Sequence, residues 1–341
     1  MSAVFDGPVT IVVDAAVSPD DFVGVVALRG PNGEAVIEDA RAVKRPGRRT
    51  MGGSGSGLGV VRVPFSDDDA RTPVASGRWT VTLGGATRAP GASKGTTRPW
   101  TGEARAVVSM QTTRDRTFRG GELDVDVYVP DGLEVGGARI DAGRAADDRY
   151  LAARLDGAFA LVKRLYGVDR GDLRFHAAPA SLRAIVGQEE IDGANRVADD
   201  PRPSAKLVLT NRLSPEGDGE ISGVVNEIPG AIAVPGTNAS AVIVSLREGS
   251  PVWVDASTIV HELGHFVGLE HTSELGVPAS DALADTPVCA ETTNKSALPT
   301  CADRNNLMFP TVNLASAEEA IWVSETQRAL FLSSPLYRAK R

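Results

Sequence analysis

Three of the four histidines in this 341-residue chain, His261, His265 and His271, fall within eleven positions, in the pattern His-Glu-x-x-His-x-x-Gly-x-x-His. On a helix, residues four apart share a face, so His261 and His265 can aim two imidazoles at one ion from a rigid support. Gly268 can take a positive φ and turn the chain back, which would bring His271 in from beyond the helix as a third ligand. Three histidines with no cysteine beside them fit a catalytic zinc site, which keeps an open position for water, rather than a closed structural one. Glu262 lies beside the expected metal. It is the candidate base that takes a proton from the zinc-bound water as that water attacks a carbonyl carbon, and then passes the proton to the leaving amine. The implied reaction is hydrolysis of a peptide bond, with a protein or peptide as substrate. His-Glu-x-x-His alone recurs by accident, but Gly268 and His271 at fixed offsets make the pattern specific.

With these residues the sequence resembles the metzincins, a clan of zinc endopeptidases marked by this extended motif and a downstream methionine turn. Asn306-Leu307-Met308-Phe309-Pro310 supplies that second element, 37 positions after His271. By resemblance, Met308 is a hydrophobic floor under the imidazoles; the residue-level alternative is an ordinary core methionine. Glu270-His271-Thr272, followed by Asp281, Asp285-Thr286-Pro287 and two cysteines, resembles the bacterial pappalysin-like group, with the matrixins next through Leu307 to Pro310. The resemblance implies Zn2+ and also makes Asp281 and Asp285 candidates for Ca2+, against a reading as turn residues before a proline. Some metzincins carry a tyrosine two residues after the methionine; Pro310 stands there in this chain. The alternative function is a metalloprotease-like binding or adhesion protein without activity, and an intact Glu262 argues against it.

The elements that must hold these groups follow from periodicity. The motif helix is expected from about Thr258 to Val267, capped by Asp255 or Ser257. Upstream, Leu123, Val125, Val127 and Val129 alternate as a strand, and Tyr150, Leu151, Leu155, Phe159, Val162 and Tyr166 recur at helical spacing. Leu173 with Phe175, and Lys206 to Thr210, suggest further strands. The resemblance assigns residues 221 to 234 to an edge strand that binds extended substrate, and Glu318 to Leu332 to a closing helix. Phe309, Val312 and Leu314 are candidates for a specificity pocket. His176 has no carboxylate or histidine at ligand spacing and reads as a packed or surface residue.

The first hundred residues read as short strands with no helical period, around Val9–Val13, Phe22–Leu28, Ala35–Ile37, Val60–Val63, Trp79–Leu83 and Ala104–Val108. Pro31-Asn32-Gly33 is a hairpin cue, and alternation points Trp79 and Val81 inward. The expected fold is therefore α+β: a metzincin-type zincin domain with a mixed five-stranded sheet and long helices over 118–341, preceded by an all-β sandwich over 1–113. That first part reads equally as an ancillary module, a pro-domain or a structural partner. Arg41, Lys44, Arg45, Arg48 and Arg49 run into a glycine-rich stretch from Gly52 to Gly59, which reads as a solvated loop rather than a phosphate loop.

A net charge of −8 argues against nucleic acid as a partner, and no apolar run is long enough to span a membrane. Cys289 and Cys301 suggest a short-range disulfide, which would stabilise the fold by about 3 kcal/mol through loop closure. Free thiols, or one cysteine as an inhibitory zinc ligand, are the alternatives. Residues 1 to 13 carry Asp6 and lack a basic start, so the expectation is a secreted, cell-surface or periplasmic protein whose signal segment lies outside this numbering.

Overall fold

The computed structural model describes residues 2–15, 21–38, 51–52, 58–63, 74–88, 97–113, 117–215, 219–276, 280–281, 283–289, 298–312, 314 and 317–339. Of the basic and glycine-rich stretch, Met51–Gly52 and the start of Leu58–Val63 lie in strands, and the rest falls outside the described residues.

The site rests on a five-stranded mixed sheet. Its order is Asp169–Ala178, Gly121–Pro130, Ala205–Thr210, Val242–Ser245 and Gly223–Val225; the first four run parallel and the last antiparallel. A short sixth strand, Arg338–Ala339, pairs with Gly121 and Glu122. The strand Gly121–Pro130 is buried except at Glu122, because both of its faces are covered. Leu123, Val125, Val127 and Val129 face the long helices, while Tyr128 joins Leu182, Ile185, Ile191, Val208 and Ile243 on the other side.

Asp126 shares that second face, fully out of water. Parallel register places it beside Arg174 and His176, whose Nε2 lies 2.7 Å from Asp126 Oδ1, and Lys206 approaches from the neighbouring strand at 2.8 Å. Burial alone would raise the Asp126 carboxyl, but hydrogen bonds from Arg174, Lys206, Ser204 and His176 hold it well below the usual carboxylate range. His176 thus has a carboxylate partner, contrary to the reading from spacing. Strand pairing unites residues fifty apart, which local spacing cannot reveal.

The helix Arg149–Tyr166 starts where the Asp148 side chain accepts from Leu151 N at 2.8 Å, and it stops at Gly167, whose φ is 74°. Its apolar stripe, Leu151, Leu155, Ala158, Leu161, Val162 and Leu165, packs on the sheet and on the motif helix. Gly157 permits the close crossing, since a Cβ there would stand 3.2 Å from Ala256 Cβ. The motif helix spans Val252–Phe266, beginning a turn and a half earlier than expected. Pro251 precedes it, with a φ of −60° that suits helix entry. Asp255 and Ser257 are therefore inside the helix and do not cap it. Asp255 is buried against Arg154 Nε at 2.5 Å, and Ser257 Oγ donates to Trp253 O.

Two other expectations are shortened. The edge strand is confined to Gly223–Val225. The stretch from Glu318 to Leu332 is not one helix: Glu318–Ala320 form a single 3-10 turn, Trp322 bridges to Asn306, and the helix proper is Glu325–Leu332. Ser324 starts that helix with a capping box, its side chain on Gln327 N and the Gln327 side chain on Ser324 N.

The described strands up to Met110 form two antiparallel sheets. One contains Ser2–Phe5, Gly77–Arg88, Asp21–Arg29, Ala35–Glu38 and Thr97–Pro99, and the other Met51–Gly52, Leu58–Val63, Val9–Ala15 and Ala104–Met110. Val9, Ile11, Val25, Leu28, Trp79 and Val81 are among the facing side chains that fill the space between them. Trp79 and Val81 point inward, as alternation requires. Every residue of Leu58–Val63 is buried. The reason is that Val12, Leu58 and Val60, on the outer face, pack against Ala231, Val234 and Ala239 of the C-terminal part. Arg62 also crosses this boundary, donating from Nη1 to Val267 O and from Nη2 to Leu330 O and, at 2.5 Å, to Ser333 Oγ. It thereby caps the carboxyl ends of two helices at once.

Candidate active site

The three motif histidines meet at one point. His265 Nε2 lies 3.1 Å from His271 Nε2, which lies 3.3 Å from His261 Nε2. Each ring's other nitrogen faces an oxygen that can only accept: His261 Nδ1 is 2.6 Å from Leu307 O, His265 Nδ1 is 2.7 Å from Leu269 O, and His271 Nδ1 is 3.1 Å from Glu274 Oε2. The proton of each neutral ring therefore sits on Nδ1. Three unprotonated Nε2 lone pairs are left pointing at each other, an arrangement that a cation relieves. Nitrogens about 2.0–2.1 Å from a tetrahedral zinc stand roughly 3.3 Å apart, so the spacing fits that ion. Burial and the neighbouring His271 push His261 down to about 4, and burial together with the other two rings lowers His265 well below the ordinary imidazole value. Both are neutral at pH 7, the state a metal ligand needs.

The turn that returns the chain is specified by Gly268, at a φ of 102°. Gly268 N donates to His265 O at 2.8 Å and Leu269 N to Gly264 O at 2.9 Å, which is a Schellman motif. The same turn delivers the Leu269 carbonyl that orients His265. Met308 is fully buried below the motif helix at Gly264, where a Cβ would come within 2.5 Å of its Sδ. Asn306 holds that turn in place. Its Oδ1 accepts from Met308 N at 2.8 Å, and its amide exchanges hydrogen bonds with Gln327 at 2.9 and 3.2 Å. Sequence reasoning named Asn306 only as part of the methionine turn and passed over Gln327, although the Ser-x-x-Gln spacing at 324–327 is that of a capping box.

Glu262 is buried, and its Oε2 has no hydrogen-bond partner. Burial pushes its carboxyl up to about 8. It lies against Gly223 of the edge strand, where a Cβ would fall 2.6 Å from Glu262 Cγ and 2.7 Å from Oε1. The missing side chain at Gly223 is what makes room for the carboxyl group, a requirement that the sequence did not announce. His261, Glu262, His265 and His271 open onto a cleft of about 760 Å³. Phe309, Pro310, Val312 and Leu314 line it as well, and among the described residues no tyrosine does.

Two other clusters hold metal-ligating residue types. In Cys289, Cys301 and Asp303 the two sulfurs form a disulfide, with Cα atoms 5.0 Å apart, which removes the free-thiol and inhibitory-ligand alternatives. In Asp126, His176 and Asp200 the cations Arg174, Lys206 and Arg202 already occupy the carboxylates. Asp285 accepts from Ser324 Oγ and from Thr326 N, both at 2.9 Å, so it serves the start of the helix Glu325–Leu332. Asp281 is buried, bonded through Oδ1 to Thr286 Oγ1 at 2.5 Å, and burial pushes it up to about 7. Among the described residues, neither joins a group of three metal-ligating side chains.

Residues 246–315 match the Peptidase_M43 family model, described as pregnancy-associated plasma protein-A. No curated protein matches. Among solved structures, archaemetzincin from Methanopyrus kandleri is 17% identical over 61% of this chain and 93% of that one, with a TM-score of 0.36. Metalloproteinase-II from Bacteroides fragilis is 12% identical over 66% of this chain and 56% of that one, with a TM-score of 0.38. The matched segment runs from the approach to the motif helix past the methionine turn, and it is in this part that the chain is similar to the Peptidase_M43 metalloproteases.

Proposed function

We propose that the protein is an exported endopeptidase in which His261, His265 and His271 hold zinc through their Nε2 atoms and Glu262 is the general base. The observation that carries this reading is the meeting of three converging Nε2 atoms with the unpartnered carboxyl oxygen of Glu262 in one cleft. Bound there, zinc supplies Lewis acidity, activating water and polarising the scissile carbonyl. Glu262 removes the proton of the attacking water, as a carboxylate positioned beside the reacting centre can. The same carboxyl then gives that proton to the leaving amine. The free edge of Gly223–Val225 supports an extended peptide by backbone hydrogen bonds, with Phe309, Val312 and Leu314 lining the pocket for one side chain.

The division into a sandwich over 1–113 and a peptidase over 118–341 is supported by the separate packing of the two N-terminal sheets. The Cys289–Cys301 disulfide supports an oxidising compartment. For Asp285 the two hydrogen bonds at Ser324 and Thr326 favour helix capping over calcium.

The test is cleavage of an unfolded protein with and without chelator, using Glu262→Ala as control. The variant is expected to keep one zinc per chain and lose roughly 10²–10⁴-fold or more in rate. Near-normal turnover by zinc-loaded Glu262→Ala would remove Glu262 from the mechanism.

A further inference from the structure

Among the described residues, the cleft contains three acidic side chains, and each has an assignment. Asp255 is matched to Arg154 Nε at 2.5 Å, Glu274 to His271 Nδ1 at 3.1 Å, and Glu262 is the proposed base. Arg247 also lines the cleft, half-buried, and its Nε and Nη2 are out of water with no hydrogen-bond partner. Among the described residues, the other acids nearby do not bond to those nitrogens. Glu134, in an adjoining cavity that Arg247 also borders, is paired with Arg139 at 2.9 Å, and Glu248 is exposed. Unpaired buried guanidinium nitrogens are costly and uncommon in folded proteins, and their planar fork matches a carboxylate.

The arginine also sits on a fixed support. Ser250 N donates to Arg247 O at 3.2 Å, closing a turn. Buried Arg154 holds the Ser250 carbonyl at 2.8 Å, and Ser250 Oγ donates to Asp255 at 2.6 Å. The cost of ordering this segment is met by the fold rather than by a ligand. Its place relative to the chemistry is set by strand register: Gly223, which abuts Glu262, pairs with Val244, and Ser245 N donates to Ser222 O at 2.8 Å. Arg247 thus lies on the Ile221 side of the reacting centre.

We propose that Arg247 determines specificity by pairing with a carboxylate of the peptide substrate, at one fixed position on one side of the cleaved bond. This rests on the peptidase reading given above. The carboxylate comes either from an aspartate or glutamate side chain or from a free C-terminus near the cleavage site. The two sources are separated by comparing internal Glu and Gln peptides with amidated ends, and free with amidated C-termini.

In a peptide-library digest, acidic residues are expected to be enriched at a single position, with kcat/KM at least about tenfold higher for the Glu peptide than for its Gln counterpart. Arg247→Gln is expected to bring that ratio close to one, and Arg247→Glu to favour Lys at the same position. If the free-terminus source holds, the free-acid peptides carry the tenfold preference instead. A parallel measurement reads binding alone, as Kd of fluorescent Glu, Gln, free-acid and amidated peptides on the zinc-loaded Glu262→Gln variant. A carboxylate preference in Kd that disappears with Arg247→Gln supports the proposal even if the native chain cleaves nothing, a result that would instead overturn the peptidase reading. Kd and kcat/KM values within twofold across all four peptides would overturn the role of Arg247.

Discussion

Replacing Gly223 by alanine perturbs the proposed base without touching a zinc ligand. The added Cβ would lie 2.6 Å from Glu262 Cγ, 2.7 Å from Oε1 and 2.9 Å from Cδ. Non-bonded carbons settle at roughly 3.5–4.0 Å, so the carboxyl group must retreat by about 1 Å. A displacement of that size at a reacting group costs about 10²-fold in rate, equivalent to about 2.7 kcal/mol of barrier. Gly223 is not among the glycines at positive φ, so alanine suits its backbone and the global stability should change little. The expected signature is a kcat about a hundredfold lower with zinc content, melting temperature and KM nearly unchanged. On a Glu262→Ala background the same substitution should add almost nothing, because the two act through one group. A variant that retains kcat within threefold, at unchanged stability, would refute the argument that Gly223 places the base.

Burial, with the Asp192 carboxylate nearby, pushes Glu227 up to about 7. A folded-state pKa raised above the ordinary carboxyl value of 4.5 means that folding favours the proton: the stability present below about pH 4.5 is lost as pH rises to 7. Glu227→Gln should therefore stabilise the protein by up to about 3 kcal/mol at pH 8 and by little at pH 4, read from denaturation midpoints at the two pH values. Arg62→Met leaves the Val267 and Leu330 carbonyls without their donor and should cost about 3 kcal/mol, the lost charge-assisted bonds being offset in part by relief from burying a guanidinium; a loss below about 1 kcal/mol in urea denaturation would contradict this. Asp285→Ala should destabilise by about 1 kcal/mol through the lost cap, with no calcium-dependent change in melting temperature before or after the substitution. A calcium-induced rise in the unsubstituted protein would restore the metal assignment.

The candidate site was legible because it is local. Two histidines a helical turn apart, a glutamate between them and a glycine that ends the helix are all written within eleven residues, and their meaning depends on one period. The N-terminal strands were legible for the same reason, through alternation and turn residues. Misreadings arose where a local rule met a tertiary claim. Asp255 and Ser257 have the side chains of helix caps, yet Asp255 is drawn inside by Arg154, a hundred residues away in sequence, and Pro251 was the true start signal. Ile321 and Val323 keep helical spacing with Leu330, but Trp322 is pulled straight by its bridge to the methionine turn. Arg62 in Leu58–Val63 reads as an ordinary charged strand residue; only the packing of one sheet on the C-terminal part shows that it is buried. Gly223 carried no signal, since its purpose is the space it leaves.

Arg62 also bears on the history of the chain as a working enzyme. A pro-domain must let go cleanly, leaving a finished surface behind. Here departure would withdraw one guanidinium from the end of the motif helix and from the end of the helix Glu325–Leu332, and would hand Ala231, Val234 and Ala239 to water. The Val267 carbonyl released in that event belongs to the turn that carries His271 toward the other two rings. Cutting between Thr112 and Arg119 is therefore expected to disarm the peptidase rather than unmask it.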